Sequence, residues 1–138
     1  MFVLLADADN VFAGIETMSG TGATIRDCRV LELPRIASPE GQMTTLEDKS
    51  VPFEVARVFY VYDIPGGAAR GGHAHWDLEQ VIVCVMGSFT VELDDGTSRE
   101  SVRLDRAYRG LYVPPLIWRE MRDFSSGDRK STRLNSSH

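Results

Sequence analysis

Two histidines separated by one residue, His73-Ala74-His75, are the residues of this chain best suited to chemistry. On a β-strand, positions i and i+2 share a face, with Cβ atoms on the order of 7 Å apart. Imidazoles so placed can share a metal ion. They can also carry protons near neutral pH, because the reference imidazole pKa is about 6.5. Glu79 has the same parity, although Trp76-Asp77-Leu78 between them reads as a turn. The glycine-rich approach, Gly67 to Gly72, predicts a close backbone path that delivers both imidazoles to one pocket. The bland alternative is a pair of exposed edge-strand histidines, which the trailing Glu makes the weaker reading.

Strands must position these groups. Val55 to Tyr62 is β-branched and aromatic and runs into the turn Asp63-Ile64-Pro65-Gly66-Gly67. Gln80 to Met86 is nearly all apolar, which suits a strand buried on both faces and is too short for an ordinary helix. Gly87-Ser88 turns into Phe89 to Leu93, where apolar and polar residues alternate, and Asp94-Asp95-Gly96 is a hairpin signal. Ser101 to Leu104 returns, and Gly110 to Pro115 forms another strand stopped by prolines. Short strands with turn signals every 8–12 residues or so predict an all-β sandwich or barrel.

Composition narrows the class. The chain has 138 residues, 43% of them apolar, enough for one domain with a real core. No apolar stretch approaches the roughly 20 residues that span a bilayer. The run Phe2 to Ala6 is short, lacks a basic flank and meets Asp7 and Asp9, so a signal peptide or anchor is not expected. Cys28 and Cys84 are far apart, and Cys84 sits in an apolar strand; a reduced thiol and a cytoplasmic location follow. A net charge of −5 argues against nucleic acid as a partner. Any anionic ligand must be held by a few local arginines. Residues 1–25 are weakly patterned and rich in Gly, Thr and Ala, and read as a poorly packed leader. The domain is expected over 26–126. The polar ending 127–138, GDRKSTRLNSSH, reads as translated vector or adaptor sequence that cannot pack a core.

The histidine segment fits the first cupin motif, a Gly, five residues, His-x-His, three residues and a Glu. In metal cupins a second motif adds a histidine after a proline, and here that position is Arg119. A guanidinium stays protonated and cannot ligate a metal. A metal-free site without a cofactor is therefore the preferred reading, although His73, His75 and Glu79 would suffice for Zn or Fe. A more specific likeness runs from Cys28 to Ser126. It rests on Arg57-Val58-Phe59-Tyr60-Val61-Tyr62-Asp63, Arg70-Gly71-Gly72-His73-Ala74-His75, Leu78-Glu79-Gln80, Gly87-Ser88-Phe89, Leu93-Asp94-Asp95-Gly96, Gly110 to Glu120 and Phe124-Ser125-Ser126. Together these resemble the dTDP-4-keto-6-deoxyglucose 3,4-ketoisomerases, the WxcM-like sugar isomerases. The resemblance implies a cupin-type antiparallel barrel, a nucleotide-sugar substrate, no metal and a homodimer. Family members continue past Phe-Ser-Ser with a further apolar strand, so this copy reads as C-terminally truncated.

The resemblance also implies roles. Moving a carbonyl from carbon 4 to carbon 3 needs a base at carbon 3 and an acid at carbon 4. His73 is the expected base and His75 its partner. Arg119 is the expected contact for an anion or enediolate; Arg70, before a Gly pair, is a candidate for the diphosphate, with a solvated surface arginine the competing reading. Tyr60 and Tyr62 share a face and are candidates for stacking on the ligand, with core placement the competing reading. Trp118 is expected in the core or pocket wall, and Glu79 as a group that orients an imidazole. A metal-dependent cupin enzyme and a non-catalytic sugar-binding cupin are the competing functions.

Overall fold

The computed structural model describes residues 2–6, 11–13, 23–47, 49–75 and 78–125; the polar ending lies outside them. Among the described residues the chain is built of short strands. In chain order these are β1 (Phe2–Ala6), β2 (Val11–Ala13), β3 (Arg29–Glu32), β4 (Ile36–Ser38), β5 (Gly41–Met43) and β6 (Arg57–Val61). They continue as β7 (Arg70–His75), β8 (Gln80–Cys84), β9 (Phe89–Asp94), β10 (Arg99–Leu104), β11 (Arg109–Val113) and β12 (Trp118–Arg122). One sheet has the order β3-β11-β8-β1-β6, a second β10-β9-β12-β7-β2, and β4-β5 form a small ribbon. Every strand pairing is antiparallel. The all-β cupin-type expectation holds. No helix among the described residues is long and apolar enough to cross a membrane.

The core lies between the two sheets. Ile82, Cys84, Leu111 and Val113 of the first sheet meet Phe89, Val91, Leu93, Leu104 and Met121 of the second. Alternation explains the rest of the first sheet, because Val81, Val83 and Tyr112 point the other way. They are covered there by Leu33, Val51 and the partly buried Leu31, Leu46, Phe53 and Val55. β8 is therefore buried along its whole length, as its continuous apolar sequence predicts. Cys84 is buried, and both cysteines are free thiols. The Asp94-Asp95-Gly96 turn also anchors the N-terminal side of the domain. Asp95 accepts the amides of Thr97 and Ser98 within the turn and that of Ile25 at 2.9 Å.

The composition of residues 1–25 suggested a poorly packed leader; within it the structure forms two paired strands. β1 lies between β8 and β6, with Leu4 opposite both Ile82 and Phe59. β2 pairs with β7. Five consecutive apolar residues make Phe2–Ala6 fit for a central strand, a local signal that the Gly- and Thr-rich sequence after it obscured.

A break in register decides which way the histidine strand faces. Glu120 of β12 stands opposite Gly71, while Arg119 stands opposite His73, so Gly72 is an extra residue on β7. In an unbulged ladder Gly72 would pair with Arg119 and His73 with Trp118, which would turn the imidazole to the outer face. Gly71 and Gly72 have φ of 91° and 77°, values that L side chains rarely adopt. A Cβ on Gly71 would also lie 3.0 Å from the carbonyl oxygen of Arg119. Gly71→Ala should therefore destabilise the fold by about 1–3 kcal/mol in denaturant titrations. Gly66→Ala, with no atom within 4 Å of its Cβ, serves as the near-neutral control. Equal stability of the two variants would contradict this account of the bulge.

Candidate active site

Directly opposed residues in antiparallel strands project to the same face. The row Leu93 on β9, Arg119 on β12 and His73 on β7 therefore crosses the inner face of the second sheet. Leu93 belongs to the core, Arg119 is 1% exposed and His73 is half-buried. A cation has been carried to the edge of the hydrophobic interior.

Arg119 is held entirely by neutral acceptors. Its Nε donates to the Ile117 carbonyl at 3.1 Å, and Nη2 donates to the carbonyls of Ile117 at 2.7 Å and Pro114 at 3.3 Å. Nη1 donates to Gln80 Oε1 in a very short contact. A guanidinium has five N–H donors, so one Nη1 hydrogen has no acceptor among the described residues. No carboxylate there forms an ion pair with Arg119 either. Burial brings its pKa down to about 9, which leaves it charged at neutral pH. Cys28 also interacts with its charge, but burial pushes that thiol up to about 12, so it is neutral too. Among the described residues the cation has no counter-charge.

His73 faces this charge. Its Nδ1 lies 3.1 Å from the Gly71 carbonyl, which can only accept, so Nδ1 carries the proton in the neutral ring. Nε2 is then the basic nitrogen. Burial is the main cause of a pKa below the ordinary imidazole value; the Gly71 hydrogen bond opposes it and the Arg119 charge adds to it. A neutral imidazole beside a fixed cation can take a proton from carbon next to a carbonyl while the cation stabilises the resulting oxyanion.

The other expected residues fall in different places. The backbone of His75 ends β7 opposite Val11, and its side chain lies outside the described residues. Arg70 opens β7 and is exposed. Glu79 accepts a 2.6 Å hydrogen bond from Tyr112, which belongs to the outer cluster of the first sheet. Burial and this contact raise the Tyr112 pKa. Tyr60 and Tyr62 are about 60% exposed, at 58% and 60%, with rings 5.9 Å apart. They belong to neither core cluster. Trp118 is half-buried on the face of β12 opposite to Arg119, next to Gly72. Among the described residues the structure thus joins His73 and Arg119, and leaves Arg70, Glu79, Tyr60, Tyr62 and Trp118 away from that contact.

Two residues at the cluster escaped the sequence reading, Gln80 and Cys28. Gln80 is 4% exposed and occupies the first position of an apolar strand. A polar residue beginning a fully buried run is itself a signal, since such a group must find a buried partner. Cys28 carried none.

Known proteins agree with this architecture. The family described as FdtA, WxcM-like, C-terminal matches residues 26–134. The TDP-4-oxo-6-deoxy-α-D-glucose-3,4-oxoisomerase of Aneurinibacillus thermoaerophilus is 44% identical over 99 residues, 71% of each chain. The TDP-quinovose 3,4-ketoisomerase WlaRB of Campylobacter jejuni superposes with a TM-score of 0.70 at 42% identity, over 73% of this chain and 78% of that one. The sugar 3,4-ketoisomerase QdtA of Thermoanaerobacterium thermosaccharolyticum, solved with TDP, gives 0.72 at 32% identity over 75% and 76%. With its barrel, its His-x-His strand and these relatives, the chain belongs to the FdtA (WxcM-like, C-terminal) family of sugar 3,4-ketoisomerases.

Proposed function

We propose that this chain isomerises a TDP-linked 4-keto-6-deoxy sugar to its 3-keto isomer, a step in deoxysugar biosynthesis. The observation that carries this reading is the neutral imidazole of His73 opposite the uncompensated guanidinium of Arg119, in a chain 44% identical to a 3,4-oxoisomerase.

His73 Nε2 removes the proton from carbon 3 of the sugar. The electron pair flows towards the carbon 4 carbonyl, whose oxygen becomes the enediolate oxyanion stabilised by Arg119. A proton moves between the two enediol oxygens, and a proton delivered to carbon 4 leaves the ketone at carbon 3. His75 is the partner acid of this scheme, and Arg70 the diphosphate contact. Tyr60, Tyr62, Glu79 and Trp118 lie away from the His73–Arg119 pair and take no part in this step. The scheme needs no cofactor.

The chain acts as a homodimer in the cytoplasm. Two free thiols support the reducing compartment. Exposed Val58, Tyr60 and Tyr62 on one side of β6 support a contact with a second copy. A monomeric sedimentation profile at micromolar concentration would contradict the dimer.

Replacing His73 by Ala should lower kcat by ~10²–10⁴-fold, the usual contribution of one general base. TDP affinity measured by calorimetry should stay near that of the unaltered chain. Near-normal turnover by the variant would overturn the role of His73.

The pH profile follows from the same group. The base must be neutral, and its pKa lies below the ordinary imidazole value. The kcat/KM should hold on acidification past about 6.5 and fall only through the lower pKa of His73. A descending acid limb centred above that value would contradict the assignment.

A further inference from the structure

Gln80 has no part in the reaction as written, yet it is one of few polar side chains buried beside the site. Its amide oxygen accepts from Arg119 Nη1 while both residues are almost inaccessible. Its own strand gives the contact direction. Gln80 heads β8 in the first sheet, and Arg119 lies on β12 in the second, so the contact crosses the core from sheet to sheet. The alternation of β8 separates it from its neighbour Glu79, whose carboxylate is engaged by Tyr112 on the other face. A carboxylate thus stands one residue away from Gln80 in sequence and on the opposite side of the sheet in space.

The choice of an amide at this position has an electrostatic consequence. Glu and Gln have nearly the same shape and both can accept from a guanidinium. A glutamate here would form a buried ion pair and cancel the field of Arg119. Glutamine fixes the same geometry and leaves the charge whole. The backbone carbonyls of Pro114 and Ile117 do likewise, so every acceptor on Arg119 among the described residues is neutral. We propose that Gln80 is a positioning residue that orients Arg119 with a neutral acceptor and so reserves the full guanidinium charge for the oxyanion formed on the substrate. This rests on the ketoisomerase reading above.

Gln80→Glu and Gln80→Met separate charge from hydrogen bonding. Both are compared with the unaltered full chain by thermal melting, steady-state kinetics and NMR titration of His73. Gln80→Glu should melt no lower than the unaltered chain, because its carboxylate pairs with a buried cation. Its kcat should fall on the order of 10²–10³-fold, the loss typical of removing one oxyanion contact, with a smaller change in KM. The His73 pKa should rise, because the new carboxylate offsets the positive field of Arg119. Gln80→Met keeps the charge but frees the guanidinium; its kcat should fall while the His73 pKa stays below the ordinary value. A folded Gln80→Glu chain with unchanged kcat or unchanged His73 pKa overturns the proposal. If Gln80→Glu does not fold, full kcat in Gln80→Met overturns it by itself. An unaltered chain that converts no sugar would instead sink the ketoisomerase reading, and the His73 titration would still decide whether Gln80 controls the charge at the site.

Discussion

Arg119 is a full positive charge with 1% of its surface exposed and only neutral oxygens among the described residues around it. Moving an ion out of water costs several kcal/mol even after the protein relaxes, and hydrogen bonds to carbonyls recover only part of that. A hydrophobic residue on this inner face, beside Leu93 and Met121, would pack with less penalty. Such a charge is tolerable because three elements converge on it. The loop between β11 and β12 supplies the carbonyls of Pro114 and Ile117, β8 supplies Gln80, and β7 presents His73 across the ladder. In the proposed reaction the destabilised cation is also what makes the site useful. In a low dielectric its attraction for a forming oxyanion far exceeds what the same group offers in water.

The rest of the barrel serves to aim His73 at this charge. Because Gly72 is bulged out of the pairing, His73 falls opposite Arg119 on the inner face of the second sheet and not opposite Trp118 on the outer. Two glycines at positive φ accept the backbone shape that the bulge requires. The Gly71 carbonyl then binds Nδ1, which selects the tautomer with a basic Nε2. Sequence, register and protonation state are linked in this way within a few residues.

Much of this was legible before any coordinates. The continuous apolar run of β8, the alternation of β9 and the Asp94-Asp95-Gly96 hairpin all report local rules that tertiary contacts did not override. The His-x-His segment and Arg119 were visible as residue types that fit one another. What stayed hidden depends on register. The faces taken by Trp118 and Glu79 follow from strand pairing, which residue types alone do not encode. The glycines announced an unusual backbone without saying which residue would be the extra one. Tyr60 and Tyr62 shared a face, as alternation requires, yet nothing local said that this face lies outside the barrel. Gln80 was read as the start of an apolar strand, and its polarity became meaningful only when Arg119 appeared across the core.

The central claim is that carbon-bound hydrogen leaves as a proton to His73 and a proton from the surroundings returns at carbon 4. Proton NMR of TDP-4-keto-6-deoxyglucose incubated with the full chain in deuterated water tests it most directly. The account predicts a 3-keto product that carries deuterium at carbon 4, since protons held on imidazole exchange with solvent. A 3-keto product with only protium at carbon 4 would point to direct hydride migration, and an unchanged sugar would show no isomerase activity; either result contradicts the account.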